Sequence, residues 1–369
     1  MSDIYIGLIS GTSMDGIDAA LVRFGEASLE ILQTHEQEYS ADLRDRLSVA
    51  KHDSSIAGLD DVANLHMEVG ASFRDATKTL LENAGVEAAA VKAIGSHGQT
   101  IRHEPNIERP FSLQIGDASI IAECTRIPTI SDFRTADIEL GGQGAPLTPA
   151  FHEWLFREPG TGRVILNIGG IANITILAAD DTETTGFDTG PGNTLMDAWC
   201  RKIRHEAFDR DGAWSASGVV NDGLLRRLLA DAYFAAAAPK STGFEYFNLE
   251  WLERFGSEGI EPADVQATLC ALTALSIADA IRATGQDGCD VFVCGGGVHN
   301  HELMRRLATA LPGFQVQSTQ AAGLDPDWVE AVAFAWLAMQ TTLGRPGNLP
   351  SVTGARKATV LGTTYNVTR

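Results

Sequence analysis

The chain has 369 residues, 44% hydrophobic and 21% charged, which excludes a disordered chain and a small disulfide-stapled scaffold and gives room for two domains. Its 28 basic and 48 acidic side chains leave a formal net charge of −20. So anionic a surface repels phosphate backbones and anionic lipid, so no nucleic acid and no membrane surface is expected as a partner.

Residues 1–10 lack a basic n-region and turn polar too early for a secretory leader. No apolar run approaches the roughly 20 residues needed to cross a bilayer, so the expected compartment is the cytoplasm. Residues 4–9 and 17–24 are apolar, and the polar, glycine-bearing stretch between them makes the pair a hairpin with an unusual tip. Residues 29–39 read as a third strand. Over 59–84 apolar residues recur at helical spacing (Leu59, Val62, Leu65, Val69, Phe73, Leu80, Leu81), giving one or two helices. A short buried strand at 91–95 runs into the polar segment Ser96-His97-Gly98-Gln99-Thr100. The Gly/Pro-rich stretch 140–146 is the natural hinge between two halves.

The hairpin design then returns: residues 163–168, Gly169-Gly170, residues 171–177, and a helix from 193 to 204. Helices follow near 219–235 and 262–283, with 237–260 read as an irregular surface loop. A strand at 290–294 ends in Gly295-Gly296-Gly297. A helix (301–311), a strand (314–317) and a long helix (328–343) complete the chain. Strands alternating with helices in two matching halves argue for α/β architecture with largely parallel sheets.

Five cysteines without a C-x-x-C pair read as buried reduced thiols rather than a disulfide framework or a zinc site. Glycine-rich turns stand at strand ends, at 11–16, 169–170, 190–192 and 295–297. Glycine lets backbone N–H groups approach phosphate oxygens, and such groups hold a nucleotide without net basic charge. No G-x-x-x-x-G-K-[ST] and no complete G-x-G-x-x-G occurs, so neither a P-loop nor the common dinucleotide fingerprint applies. Asp188 lies between Gly186 and a Gly-Pro-Gly turn, a setting that aims a carboxylate into a cleft or caps the following helix. Asp209 and Asp211 bracket Arg210 in a structural turn lacking the remaining ligands of a calcium loop.

Residues 7–18 (GLISGTSMDGID) resemble the opening signature of the anhydro-N-acetylmuramic acid kinases. The resemblance continues in Gly95-Ser96-His97-Gly98-Gln99-Thr100, Gly141-Gly142-Gln143-Gly144-Ala145-Pro146 and Asn167-Ile168-Gly169-Gly170. Further blocks are residues 186–193 (GFDTGPGN), 209–212 (DRDG), 239–243 (PKSTG) and 294–297 (CGGG), in family order. This resemblance implies two duplicated ribonuclease H-like (actin/hexokinase-like ATPase) α/β domains around a central ATP cleft. The expected domains are 1–135 and 136–369, with the C-terminal tail able to pack back on the first.

It further implies a kinase that uses ATP and Mg²⁺ to phosphorylate O6 of 1,6-anhydro-N-acetylmuramic acid while water opens the anhydro bridge at C1, and a homodimer. Asp188 would be the general base taking the proton of the attacking water. Gly11, Thr12, Ser13, Met14, Asp15, Gly16, Ile17, Asp18, Gly169, Gly170, Gly295, Gly296 and Gly297 would bind the nucleotide. His97, Gln99, Arg134 and Glu330 would bind the sugar, with Arg134 gripping its lactyl carboxylate. Leu8 and Ile9 stand where hexokinase-like strands end in an acidic residue, so a metal carboxylate would have to come from elsewhere, such as Asp15 or Asp18.

The residues by themselves leave other readings open. His97 can be a satisfied core histidine, Arg134 can pair with Asp132 or Asp137, and Glu330 can be a helix N-terminal charge. The same fold serves other sugar kinases and ATP-driven actin- or Hsp70-like binding proteins. Asp188 with Glu330 is also compatible with a glycoside hydrolase that needs no nucleotide.

Overall fold

The structure, a computed structural model, describes residues 3–11, 14, 16–26, 28–52, 58–180, 182–238, 240–286 and 288–367. Its strands are β1 (Asp3–Ser10), β2 (Gly16–Phe24), β3 (Leu29–Glu38), β4 (Val91–Glu104), β5 (Phe111–Ile115) and β6 (Thr129–Ser131). They continue as β7 (Arg163–Ile168), β8 (Ile171–Leu177), β9 (Thr185–Pro191), β10 (Asp290–Cys294), β11 (Gln315–Ser318) and β12 (Thr363–Tyr365). Two compact units form, one of Met1–Leu155 with Glu330–Arg369 and one of Phe156–Val329. Position 135 therefore lies inside the first unit, and the chain comes back to that unit at Glu330.

The two sheets share one plan. In the first unit β1, β2 and β3 form an antiparallel meander, β4 runs parallel to β1 on its other side, and β6 runs parallel to β4. In the second, β7, β8 and β9 form the meander, and β10 and β11 follow in parallel beyond β7. The repeated hairpin in the sequence thus marks a repeated topology, two α/β units of the same design. The spacing of apolar residues also explains the packing: Leu65, Val69, Phe73, Ala76 and Leu80 recur every three or four residues along the helix Leu59–Ala84 and meet Ile6, Leu8, Ile17 and Leu21 of the sheet. Gly85, at φ 61°, ends that helix in the left-handed conformation.

A pair of glycines explains the return of the C-terminal segment. Gly7 of β1 and Gly95 of β4 stand opposite each other in register. A methyl on either would run into the backbone of the helix Val329–Thr342, at the Ala331 and Phe334 carbonyls. Two bare positions side by side let that helix lie directly on the sheet.

Stretch 140–146 is not a hinge. Asp137, fully buried, receives the Gly144 N–H (2.8 Å), the Asn348 side-chain amide (2.6 Å) and the Thr353 hydroxyl (2.7 Å). The Gln143 N–H bonds the Thr353 carbonyl and the Arg356 N–H bonds the Leu140 carbonyl. The stretch is thereby tied to the C-terminal segment inside one unit, because a buried carboxylate needs several donors to stay in place.

Segment 237–260, expected as irregular, contains the helix Leu249–Arg254, whose Trp251 is buried in the core of the second unit. Helix Pro262–Ala283 is, by length and composition, apolar enough to cross a membrane, contrary to the sequence reading. It is the central helix of the second unit, with most of its apolar length buried there.

Candidate active site

In the first unit, the strand expected to stop at Gly95 continues as β4 through His97 and Gln99, because β1 and β5 both pair with it. Gln99 is fully buried, and its amide reaches back to the first glycine turn. Its Nε2 donates to the Gly11 carbonyl at 3.1 Å, and its Oε1 lies 2.7 Å from Ser10 Oγ, which is also 2.7 Å from the Gly16 carbonyl. Gln99 is therefore placed as a clasp on that turn. Met14, at φ 58°, and Ile17 send their side chains into the core, which leaves only their main chain for a ligand. Asp18 sits on β2 opposite Ile9. Thr12, Ser13 and Asp15 lie outside the described residues.

His97, Arg134 and Glu330 come together in this unit. Arg134 Nη1 donates to the Gly144 carbonyl at 2.7 Å, and Nη2 is 2.8 Å from His97 Nε2, which must accept and so carries no proton there. Burial, then the Arg134 charge, holds the His97 imidazole well below its ordinary pKa, so it is neutral at physiological pH. Burial lowers Arg134 to about 10 while Glu330 and Asp137 oppose the fall, so the guanidinium stays charged. Asp132 accepts from Thr135 and Asp137 from the donors above, so their hydrogen-bonding capacity is directed elsewhere. Arg134 Nε is buried and has no hydrogen-bond partner among the described residues.

Glu330 keeps accessible surface at the start of the helix Val329–Thr342. Desolvation by its surroundings nevertheless raises its carboxyl, and Arg134 pulls it back. One turn on, the Phe334 ring packs on the His97 ring with centroids 4.7 Å apart. A charged fork with an orphaned N–H, a neutral imidazole and an accessible carboxyl fit a polyhydroxylated, anionic ligand.

In the second unit the glycine turns gather at one end of the sheet. The tip between β7 and β8, Gly169-Gly170, accepts bonds from Gly192, Asn193 and Thr194, so the 190–192 turn and the N-terminus of the helix Thr194–Arg204 dock on it. Parallel neighbours β7 and β10 end side by side, and a Cβ at Gly295 or Gly297 would strike Asn167 or Ile168. At Gly170 and Gly296, by contrast, a Cβ would meet nothing closer than 4.0 Å. Close-packed glycines below, open glycines above and a helix N-terminus alongside make a cradle that fits a nucleotide's phosphates. No group of three metal-ligating side chains occurs among the described residues.

Asp188 lies on β9 opposite Asn173, next to a bulge that turns the strand. Its Oδ2 accepts the Thr242 N–H at 3.0 Å, its own N–H bonds the Lys240 carbonyl at 3.0 Å, and its carbonyl accepts the Tyr233 hydroxyl at 2.8 Å. Burial raises the carboxyl to about 6, opposed by the Thr242 bond and assisted by Glu245. A carboxylate with that pKa is ionised at neutral pH and only weakly acidic once protonated, as a general base should be. Asp209, whose carboxylate accepts the Trp214 and Ser215 N–H groups, is a structural turn.

The model of the family described as "Anhydro-N-acetylmuramic acid kinase" matches residues 3–367. This chain belongs to that family. It is 50% identical over 363 residues to the anhydro-N-acetylmuramic acid kinase of Coxiella burnetii, covering 98% of this chain and 97% of that protein. The enzyme of the same name from Shewanella woodyi is 49% identical over 376 residues, with 98% of each chain covered. Among solved structures, a ROK family glucokinase from Streptomyces griseus in complex with glucose and AMPPNP aligns over 91% of this chain and 99% of its own. Its TM-score is 0.42 and its identity 13%.

Tyr233, Lys240 and Thr242, which surround Asp188, carry no role in the sequence reading. Block 239–243 signalled the resemblance but not the contact, since 54 residues separate Thr242 from Asp188.

Proposed function

We propose that this kinase converts 1,6-anhydro-N-acetylmuramic acid, ATP and water to N-acetylmuramic acid 6-phosphate and ADP, a step of peptidoglycan recycling, with Asp188 as general base. The observation that carries the reading is Asp188 itself: a carboxylate on β9, desolvated to a pKa of about 6, in the unit that holds the glycine cradle. Asp188 takes a proton from water as the water oxygen bonds to C1. The C1–O6 bond breaks, O6 bonds to the γ-phosphorus, and the bond from that phosphorus to the β-phosphate oxygen breaks to release ADP. Coupling the two displacements spares O6 from leaving as a free alkoxide.

Arg134 would hold the lactyl carboxylate, with His97 and Glu330 facing the sugar's polar groups. Gln99 would act at one remove, by fixing the glycine turn at Gly11. Gly169, Gly170 and Gly295 to Gly297 would hold phosphates through main-chain N–H groups, and Mg²⁺ would neutralise charge on the phosphates. The family resemblance supports a homodimer acting in the cytoplasm.

A coupled ADP-release assay tests the reading across 1,6-anhydro-N-acetylmuramic acid, N-acetylmuramic acid, N-acetylglucosamine and glucose. Turnover should be selective for the anhydro sugar and need ATP. Sugar conversion without nucleotide would favour the hydrolase reading, and no ADP release with any of the four would refute the proposal.

A further inference from the structure

Two nearby pieces of chain, residues 231–234 and 240–242, hold Asp188 from three directions. They supply the Tyr233 hydroxyl to its carbonyl, the Lys240 carbonyl to its N–H and the Thr242 N–H to its carboxylate. Lys240 joins the pieces. Its ammonium donates to the carbonyls of Tyr233 (3.0 Å) and Phe234 (3.4 Å) and lies 4.6 Å from the centre of the Tyr233 ring. Behind them Asp231 accepts the Tyr246 hydroxyl, the Trp251 indole N–H and the Tyr233 N–H, at 2.7, 2.9 and 2.9 Å. Tyr233 also packs edge-on against the buried Phe247, with ring centres 5.3 Å apart.

We propose that Lys240 and Tyr233 are positioning residues for Asp188, the ammonium clamping a strap that fixes the main chain beside the carboxylate and covers one of its oxygens. The proposal rests on Asp188 as the base. A half-buried ammonium satisfied by carbonyls and a ring face is a local clamp, since each of its partners belongs to the segment that bonds Asp188. On the strap side the titratable groups are Asp231, Tyr233, Lys240, Glu245 and Tyr246, while Asn173 on β8 and Ser276 near Gly190 are neutral. Burial is the largest influence on the Asp188 carboxyl and outweighs the Thr242 bond. The strap supplies both the Thr242 bond and part of the cover over the carboxyl, so loosening it shifts the carboxyl's titration.

The test uses the full chain with 1,6-anhydro-N-acetylmuramic acid and ATP, and compares Lys240→Met, Lys240→Arg and Tyr233→Phe with Asp188→Asn. Lys240→Met should lower kcat about 10- to 100-fold, as small misplacements of a reacting group do. KM for ATP should stay within about twofold, and the acid limb of kcat/KM should shift. Lys240→Arg should recover part of the loss, and Tyr233→Phe, which removes a single hydroxyl, should show a smaller change in the same direction. Unchanged kcat in both Lys240→Met and Tyr233→Phe overturns the proposal. So does a fall in kcat with the acid limb unmoved in the folded variants. Failure of the base assignment shows separately, as near-normal turnover in Asp188→Asn.

Discussion

Replacing Asp188 by Asn should make the protein more stable and nearly inactive, and the stability gain should depend on pH. The carboxyl binds its proton more tightly in the folded state, at a pKa of about 6 against an ordinary 3.8. Its protonated form therefore favours the fold, and that advantage is lost as pH rises from about 4 through 6. At about 1.4 kcal/mol per pH unit the full displacement corresponds to about 3 kcal/mol, and solvent reaching this partly exposed side chain reduces it to about 1–2 kcal/mol. Asn is neutral at every pH and its oxygen can still accept the Thr242 N–H. Urea unfolding at about pH 7.5 should show a gain of that size, shrinking toward zero near pH 4. In the same preparation kcat should fall by at least about 100-fold with ATP affinity nearly intact. An Asn variant no more stable than the parent at neutral pH would refute the desolvated carboxylate. Near-normal turnover would remove Asp188 from the mechanism.

Arg134→Met should raise KM for the sugar about 10- to 100-fold and change kcat less, because a desolvated fork to a carboxylate is lost. Steady-state titration of sugar at saturating ATP measures it. Because His97 is held neutral, an NMR titration of its ring should show no protonation step near pH 6.5, which leaves the acid limb to Asp188. Asp137→Ala should cost about 2–4 kcal/mol in urea unfolding, since Gly144, Asn348 and Thr353 lose their shared acceptor in a buried place. Gly170→Ala puts a methyl into open space, so its Tm should stay within about 2 °C while KM for ATP rises about tenfold or more. Gly295→Ala, at φ 78° and against Asn167 and Ile168, should instead lose about 1–3 kcal/mol of stability.

Local patterns carried much of the fold. Apolar hairpins at both starts, the three- and four-residue spacing of Leu65 to Leu80 and the glycine tips at 169–170 and 295–297 each depend on neighbours in sequence. They were legible for that reason. β5, β6 and β12 were not: they are short, β5 and β6 form because the long β4 lies beside them, and β12 forms only against β6. Likewise β4 runs past Gly95 only because β1 and β5 supply bonds on both sides.

What the sequence by itself determined is the duplicated α/β design, the family and the short list of chemical groups, Asp188 foremost. Tertiary structure alone decided how those groups are supported. It turned stretch 140–146 from a supposed hinge into a staple around Asp137, made Gln99 a clasp on the Gly11 turn, and brought Tyr233, Lys240 and Thr242 around Asp188. The physical reason is that periodicity and turn chemistry are encoded over a few residues, whereas desolvation and hydrogen-bond satisfaction depend on whichever distant groups the packed chain brings within about 3 Å.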